Sequence, residues 1–187
     1  MKLIQTLLGG SLTVLLASTA VADEITDTLQ SAMTAYEDGD VTYAIEELDY
    51  AKQLLQEMQT GALAGFLPEA PEGWTAEEDT DASSGYAMMG GGTVTAKRYS
   101  NDAGEEITLT ILVDSPMIAM MGGMIQNAGN MGMKTVRVGR EKFLDNEGDL
   151  SALIEGRILV QATGGPREVL LPLLEAIDYR ALGRFGY

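Results

Sequence analysis

The apolar residues of this chain change period partway along, and that change limits what it can fold into. Between Ile25 and Met58 they recur every three or four residues, the repeat of a helix with one apolar face. Further on, Ile107, Leu109 and Ile111 alternate with Thr108 and Thr110, the repeat of a strand with one buried face. Helices gathered at one end and strands at the other predict an α+β architecture, with an N-terminal helical hairpin followed by an antiparallel sheet.

The hairpin is marked by its turn. Ile25, Leu29, Ala32, Met33 and Tyr36 give the first helix its apolar face. Gly39 suits the left-handed residue that ends a helix, and Asp40 is placed to cap the next one. Ala44, Ile45, Leu48, Ala51, Leu54, Leu55 and Met58 then form the stripe of a second helix ending near Gly61. Small residues at 32, 44 and 51 let two antiparallel helices approach, and the expectation is that Tyr36 and Leu48 fill the space between them.

The pattern Tyr36-x-x-Gly39-Asp40-x-x-x-Ala44-Ile45-x-x-Leu48-x-x-Ala51 resembles one tetratricopeptide (TPR) repeat. The resemblance implies a helical pair used for protein–protein binding. No second copy follows, whereas stable arrays normally need three or more, so a lone hairpin must cover its other face with the rest of the chain, a copy of itself or a partner. The candidate partner-binding residues are its aromatic and acidic side chains Tyr36, Asp38, Asp40, Tyr43, Glu47 and Tyr50.

Residues 63–92 read as a connector rich in proline, glycine and acids. Leu67 to Trp74 carries Pro68, Pro71 and Gly73, and Glu77 to Gly85 looks exposed and flexible. Residues 93–187 then read as the sheet domain. Strands are expected at Thr93–Ser100, Glu106–Val113, Thr135–Val138, Glu141–Leu144, Leu150–Ile154 and Arg157–Thr163, five or six in all. A Met-rich helix and a C-terminal helix with Val169, Leu170, Leu173, Leu174 and Ile177 cover the sheet on one face, and Pro172 should kink the latter or mark its first turn. The order Gly73-Trp74, strand hairpin, Asp114-Ser115-Pro116, Met-rich helix, meander and final helix resembles PsbP-like domains, and also a group of small exported proteobacterial proteins that join a TPR-like hairpin to such a sheet. The PsbP-like resemblance implies a binding or assembly role and no catalysis.

Composition narrows the chemistry. The chain has no histidine and no cysteine. That removes imidazole and thiolate catalysis, disulfides, and metal sites built on either ligand. The formal charge of −16 argues against a nucleic-acid or anionic-membrane surface, which needs clustered Lys and Arg. The acidity is also lopsided: 16 acids against Lys52 alone from Asp23 to Asp81, then 12 acids against 10 basic residues. Lys134, Arg137, Arg140 and Lys142 form the one basic cluster, suited to an acidic hairpin of the same chain or a neighbour.

Residues 1–22 read as an export signal: Lys2, an apolar stretch broken by Gly9 and Gly10, then Ala20-Val21-Ala22 as the cleavage site. Cleavage after Ala22 leaves no cysteine for lipid attachment, and no later stretch reaches the roughly 20 apolar residues needed to cross a bilayer. A periplasmic location is expected, with secretion as the alternative and no membrane insertion after cleavage.

Four methionines, Met117, Met120, Met121 and Met124, stand at i, i+3, i+4 and i+7, one face of a helix. Thioethers so arranged suit Cu(I) or Ag(I), although the same spacing serves core packing or a hydrophobic groove. Ser115 is placed to cap that helix and Pro116 to begin it. Gly90-Gly91-Gly92-Thr93 lacks the Gly-Lys-Ser/Thr of a phosphate loop. Asp145 to Asp149 alternates oxygens like a calcium loop, but Gly156 stands where the bidentate glutamate belongs, so an acidic turn is the better reading. No pair of carboxylates is singled out for hydrolysis. The sequence therefore predicts a non-catalytic, cofactor-free exported protein that binds another envelope protein, or itself, through the acidic hairpin. The alternative is a soft-metal binder using the four methionines.

Overall fold

The computed structural model describes residues 17–88, 91–128 and 130–187. The chain divides into two compact units, residues 1–57 and 58–187.

The first unit is a helical pair, α1 (Ala17–Glu37) and α2 (Val41–Ala64), whose last turns belong to the second unit. The predicted turn forms as expected. Gly39 has φ +84°, the Asp40 amide donates to the Ala35 carbonyl, and the Asp40 carboxylate accepts from the Tyr43 amide at 3.1 Å. At the open end the Tyr50 hydroxyl donates to Glu24 at 2.7 Å, fastening the antiparallel helices across 26 residues of sequence.

The buried line is narrower than the apolar periodicity suggests. On α1 it runs through Ile25, Thr28, Ala32 and Ala35, and on α2 through Ala44, Ala51 and Leu54. Tyr36 and Leu48 are not between the helices: they are 71% and 51% exposed. At about 100° per residue Tyr36 lies on the flank of the Ala32–Ala35 line, and the close approach set by alanine leaves no room for a large ring.

The second unit is built on a seven-stranded antiparallel sheet in the order β1-β2-β3-β7-β6-β5-β4. The strands are β1 (Trp74–Glu78), β2 (Thr93–Asn101), β3 (Glu106–Val113), β4 (Thr135–Val138), β5 (Glu141–Asn146), β6 (Asp149–Ile154) and β7 (Ile158–Thr163). Five or six strands were expected; β1 is the addition, and it raises the count to seven. It pairs with β2 from Trp74↔Asn101 to Glu78↔Lys97. A helix, α3 (Thr80–Met88), follows it, so the acidic connector is ordered structure over most of its second half.

Both faces of the sheet are covered, not one. On the first face Tyr99, Ile107, Leu109, Phe143 and Val160 pack with Leu63 and Leu67, with α5 (Arg167–Glu175) and with Leu182 of α6 (Tyr179–Leu182). On the other, Val94, Leu112, Leu144 and Leu159 receive Ile118 and Ile125 of α4 (Pro116–Asn127). Pro172 lies inside α5, beyond its first turn. Gly165, with φ +62°, crosses so close to β3 that a Cβ there would run into the Ile107 side chain.

Candidate functional site

On the hairpin, Ile25 and Leu54 are buried with the alanines, but most of the other large apolar side chains are left out of the packing. Leu29, Met33 and Tyr36 on α1 are 39–71% exposed, and Ile45, Leu48 and Leu55 on α2 are 46–55% exposed. Each set sits on the same rotational side of its own buried line. Because the helices run antiparallel, the two sets emerge on one face of the pair. Helices with two adjacent apolar stripes are built to contact two neighbours, and here only one of the two stripes is buried. The signal was present in the sequence as an apolar stripe beside a line of alanines, but period alone does not say which stripe is covered.

The opposite face is polar. Asp38, Asp40 and Tyr43 line an open groove of about 540 Å³ with Asp27, Ser31 and Thr34. Tyr50 lies exposed with Glu24, whose carboxylate accepts its hydroxyl and raises the phenol above its ordinary value. Glu47 is half-buried in register with the alanine line. The six residues expected to bind a partner therefore divide: Asp38, Asp40, Tyr43 and Tyr50 on the acidic side, Glu47 at the seam, and Tyr36 on the apolar face.

The methionine segment forms α4. Ser115 accepts from the Met117 amide at 3.3 Å and Pro116 occupies the first turn, as the sequence implied. The helix is anchored by Ile118, Gly122 and Ile125; a Cβ at Gly122 would stand 3.1 Å from Leu153, so the glycine lets α4 press onto β6. Met117 and Met121 are half-buried, Met124 is partly exposed, and Met120 is 84% exposed. Met121 and Met124 share a cavity of about 230 Å³ with Met133, lined also by Asn146, Ser151 and Thr163. Met117 and Met120 do not line it. Met89 and Gly90, part of the loop considered above, lie outside the described residues.

The acidic turn after β5 is closed by its own chain. Glu147 and Gly148 both have positive φ, giving a tight hairpin. Asp145 is buried and accepts from Arg167 at 2.9 Å, from Lys134 at 3.0 Å and from the Gly148 amide at 3.2 Å. Lys134, first among these, holds the carboxyl below its ordinary value. So Lys134 of the basic cluster is engaged locally, while Arg137, Arg140 and Lys142 are exposed or nearly so. Among the described residues no group of three carboxylates converges as a metal site, and no helix is long and apolar enough to cross a membrane. Comparison with protein-family models, with curated proteins and with solved structures finds no match to this chain.

Proposed function

We propose that this is an exported, non-catalytic protein whose N-terminal hairpin docks another envelope protein through the apolar face of Leu29, Met33, Tyr36, Ile45, Leu48 and Leu55. The observation that carries the reading is the division on each helix between a buried line, mostly alanine with Ile25, Thr28 and Leu54, and a flank of large exposed residues. An open apolar face of this size on a strongly acidic hairpin is costly to a soluble chain unless something covers it. The resemblance to a single TPR repeat, the export signal read at residues 1–22 and the absence of histidine and cysteine all support the same conclusion. The acidic side supplies orientation, since charged rims steer encounter more than they add affinity.

The test is capture from a periplasmic extract by the mature chain and by an Ile45→Glu/Leu48→Glu variant. Partners retained by the first and lost by the second support the reading. Identical partner sets would sink it, and a self-associating mature chain would assign the face to a second copy instead.

A second reading is soft-metal binding, favoured by one observation: Met121, Met124 and Met133 line one cavity. Cu(I) titration of the mature chain against a Met121→Leu/Met124→Leu/Met133→Leu variant decides it, because equal affinity removes the site.

A further inference from the structure

A different cavity, in the second unit, has the chemistry of a cation site. It is a half-open cavity of about 290 Å³ between the turn preceding β1 and the helix α5, with Trp74, Pro71 and Pro172 in its walls. Three exposed carboxylates rim it, Glu69, Glu72 and Glu168, and no basic residue lines it.

The walls are fixed by the fold. Leu67 is buried in the core, and the Pro68 carbonyl accepts from the Tyr99 hydroxyl at 2.8 Å and from Lys97 at 3.4 Å. Beyond it the Trp74 amide closes a turn onto the Pro71 carbonyl at 3.0 Å, with Gly73 at φ +79°. Across the cavity, α5 is seated by Leu170, Leu173 and Leu174, all buried. The site therefore exists before anything enters it.

The cations nearby are committed elsewhere. Arg167, beside Glu168 in sequence, turns its guanidinium to Asp145, and Lys97 donates to the Leu67 and Pro68 carbonyls. Glu69, Glu72 and Glu168 take part in none of the ion pairs found among the described residues. They are also too dispersed to converge on one metal ion. Dispersed carboxylates beside a tryptophan suit a larger, flatter cation. An indole attracts a cation over its ring, and a guanidinium adds planar stacking and a fork of N–H donors for carboxylates. The proline and leucine walls accommodate the alkyl stem. The volume is at the lower end of small-molecule sites, about 300–1,000 Å³, which matches a head group and short stem rather than a whole cofactor.

We propose that the Trp74 cavity binds an alkylguanidinium group, with Trp74 stacking on it and Glu69, Glu72 and Glu168 accepting its N–H donors. The group is either a free small guanidine or an arginine side chain presented by a peptide.

Trp74 is the chain's single tryptophan, so its fluorescence reads the site directly. The probes are ethylguanidinium, the neutral isostere ethylurea and the peptide acetyl-Gly-Arg-Gly-amide, added at millimolar concentration to the mature protein. Ethylguanidinium is expected to give a saturable change that ethylurea does not. The Glu69→Gln/Glu72→Gln/Glu168→Gln variant is expected to bind about tenfold more weakly, the equivalent of about 1.4 kcal/mol. Peptide binding at least as tight as that of ethylguanidinium assigns the cavity to an arginine side chain; much weaker peptide binding assigns it to a free guanidine. Equal responses to ethylguanidinium and ethylurea, or no saturation by either, overturn the proposal. Should the triple variant lose its circular dichroism signature, the ethylurea comparison on the unaltered protein still decides.

Discussion

Arg98 holds the buried carboxylate of Asp79 at 2.6 Å, and this one pair orders a segment whose composition resembles a loose acidic linker. The Asp79 amide donates to the Ala96 carbonyl at 2.8 Å, and its carboxylate accepts from the Ala82 amide at 2.9 Å at the head of α3. The Ala82 amide first, and then Arg98, pull the Asp79 carboxyl below its ordinary value against its burial. Glu77 lies 3.5 Å from the same guanidinium, and Glu106 lies 3.4 Å from its Nε without a hydrogen bond.

Replacing Arg98 by alanine strands Asp79 among these acids. Because Arg98 keeps some solvent contact, the expected loss is about 2 kcal/mol, less than for a wholly buried pair. Urea unfolding of Arg98→Ala measures it. A change below about 0.5 kcal/mol, the scale of an ordinary surface substitution, would show that the pair does not order the segment.

The same pair explains what the sequence concealed. Six strands were legible because each carries apolar side chains that pack into a core. In β1 only Trp74 is even partly covered, while Thr75 to Glu78 are exposed; pairing with β2 makes it a strand, and pairing leaves no period of its own. The hairpin's turn was legible because Gly39 and Asp40 act locally. Its packing phase was not, because Ala32 and Tyr36 both fit a helical repeat and only the helix–helix distance chooses between them. The Trp74 cavity joins Glu72 to Glu168 across the fold, so no linear motif announces it.

Asp145 ties stability to pH. Its folded carboxyl titrates below the unfolded value of 3.8, so its contribution is present above that value and is lost as pH falls through the lowered folded one. Asp145→Asn is expected to be less stable than the parent near neutrality by about 1–3 kcal/mol, since the ion pairs with Lys134 and Arg167 are lost and the Gly148 bond weakens. The gap should close as the solution is acidified below that range. Denaturant melts at neutral and acidic pH measure this, and a gap that widens on acidification would reverse the sign of the argument.

Gly165 is the tightest crossing over β3. An alanine there meets Ile107 and the Glu106 carbonyl while holding φ +62°. The expected cost of Gly165→Ala is about 2 kcal/mol, with left-handed strain supplying about 1 of it. Gly104, with φ +79° and no atom within 4 Å of a Cβ, is the control for strain without a clash. Equal thermal destabilisation by Gly104→Ala and Gly165→Ala would remove the close-approach account.

The hairpin offers the sharpest separation between packing and binding. Ala51 is 1% exposed on the line where the helices meet, whereas Leu48 is 51% exposed on the flank. Enlarging the first forces the helices apart, so Ala51→Leu should destabilise α1 and α2 by about 1–3 kcal/mol. Truncating the second removes little packing, so Leu48→Ala should change stability by less than about 0.5 kcal/mol while weakening partner capture. Native-state hydrogen exchange over α1 and α2 gives the local stability, and the extract capture gives the binding. If Leu48→Ala unfolds the pair and Ala51→Leu leaves it intact, Leu48 lies between the helices after all, and the apolar face is no docking surface.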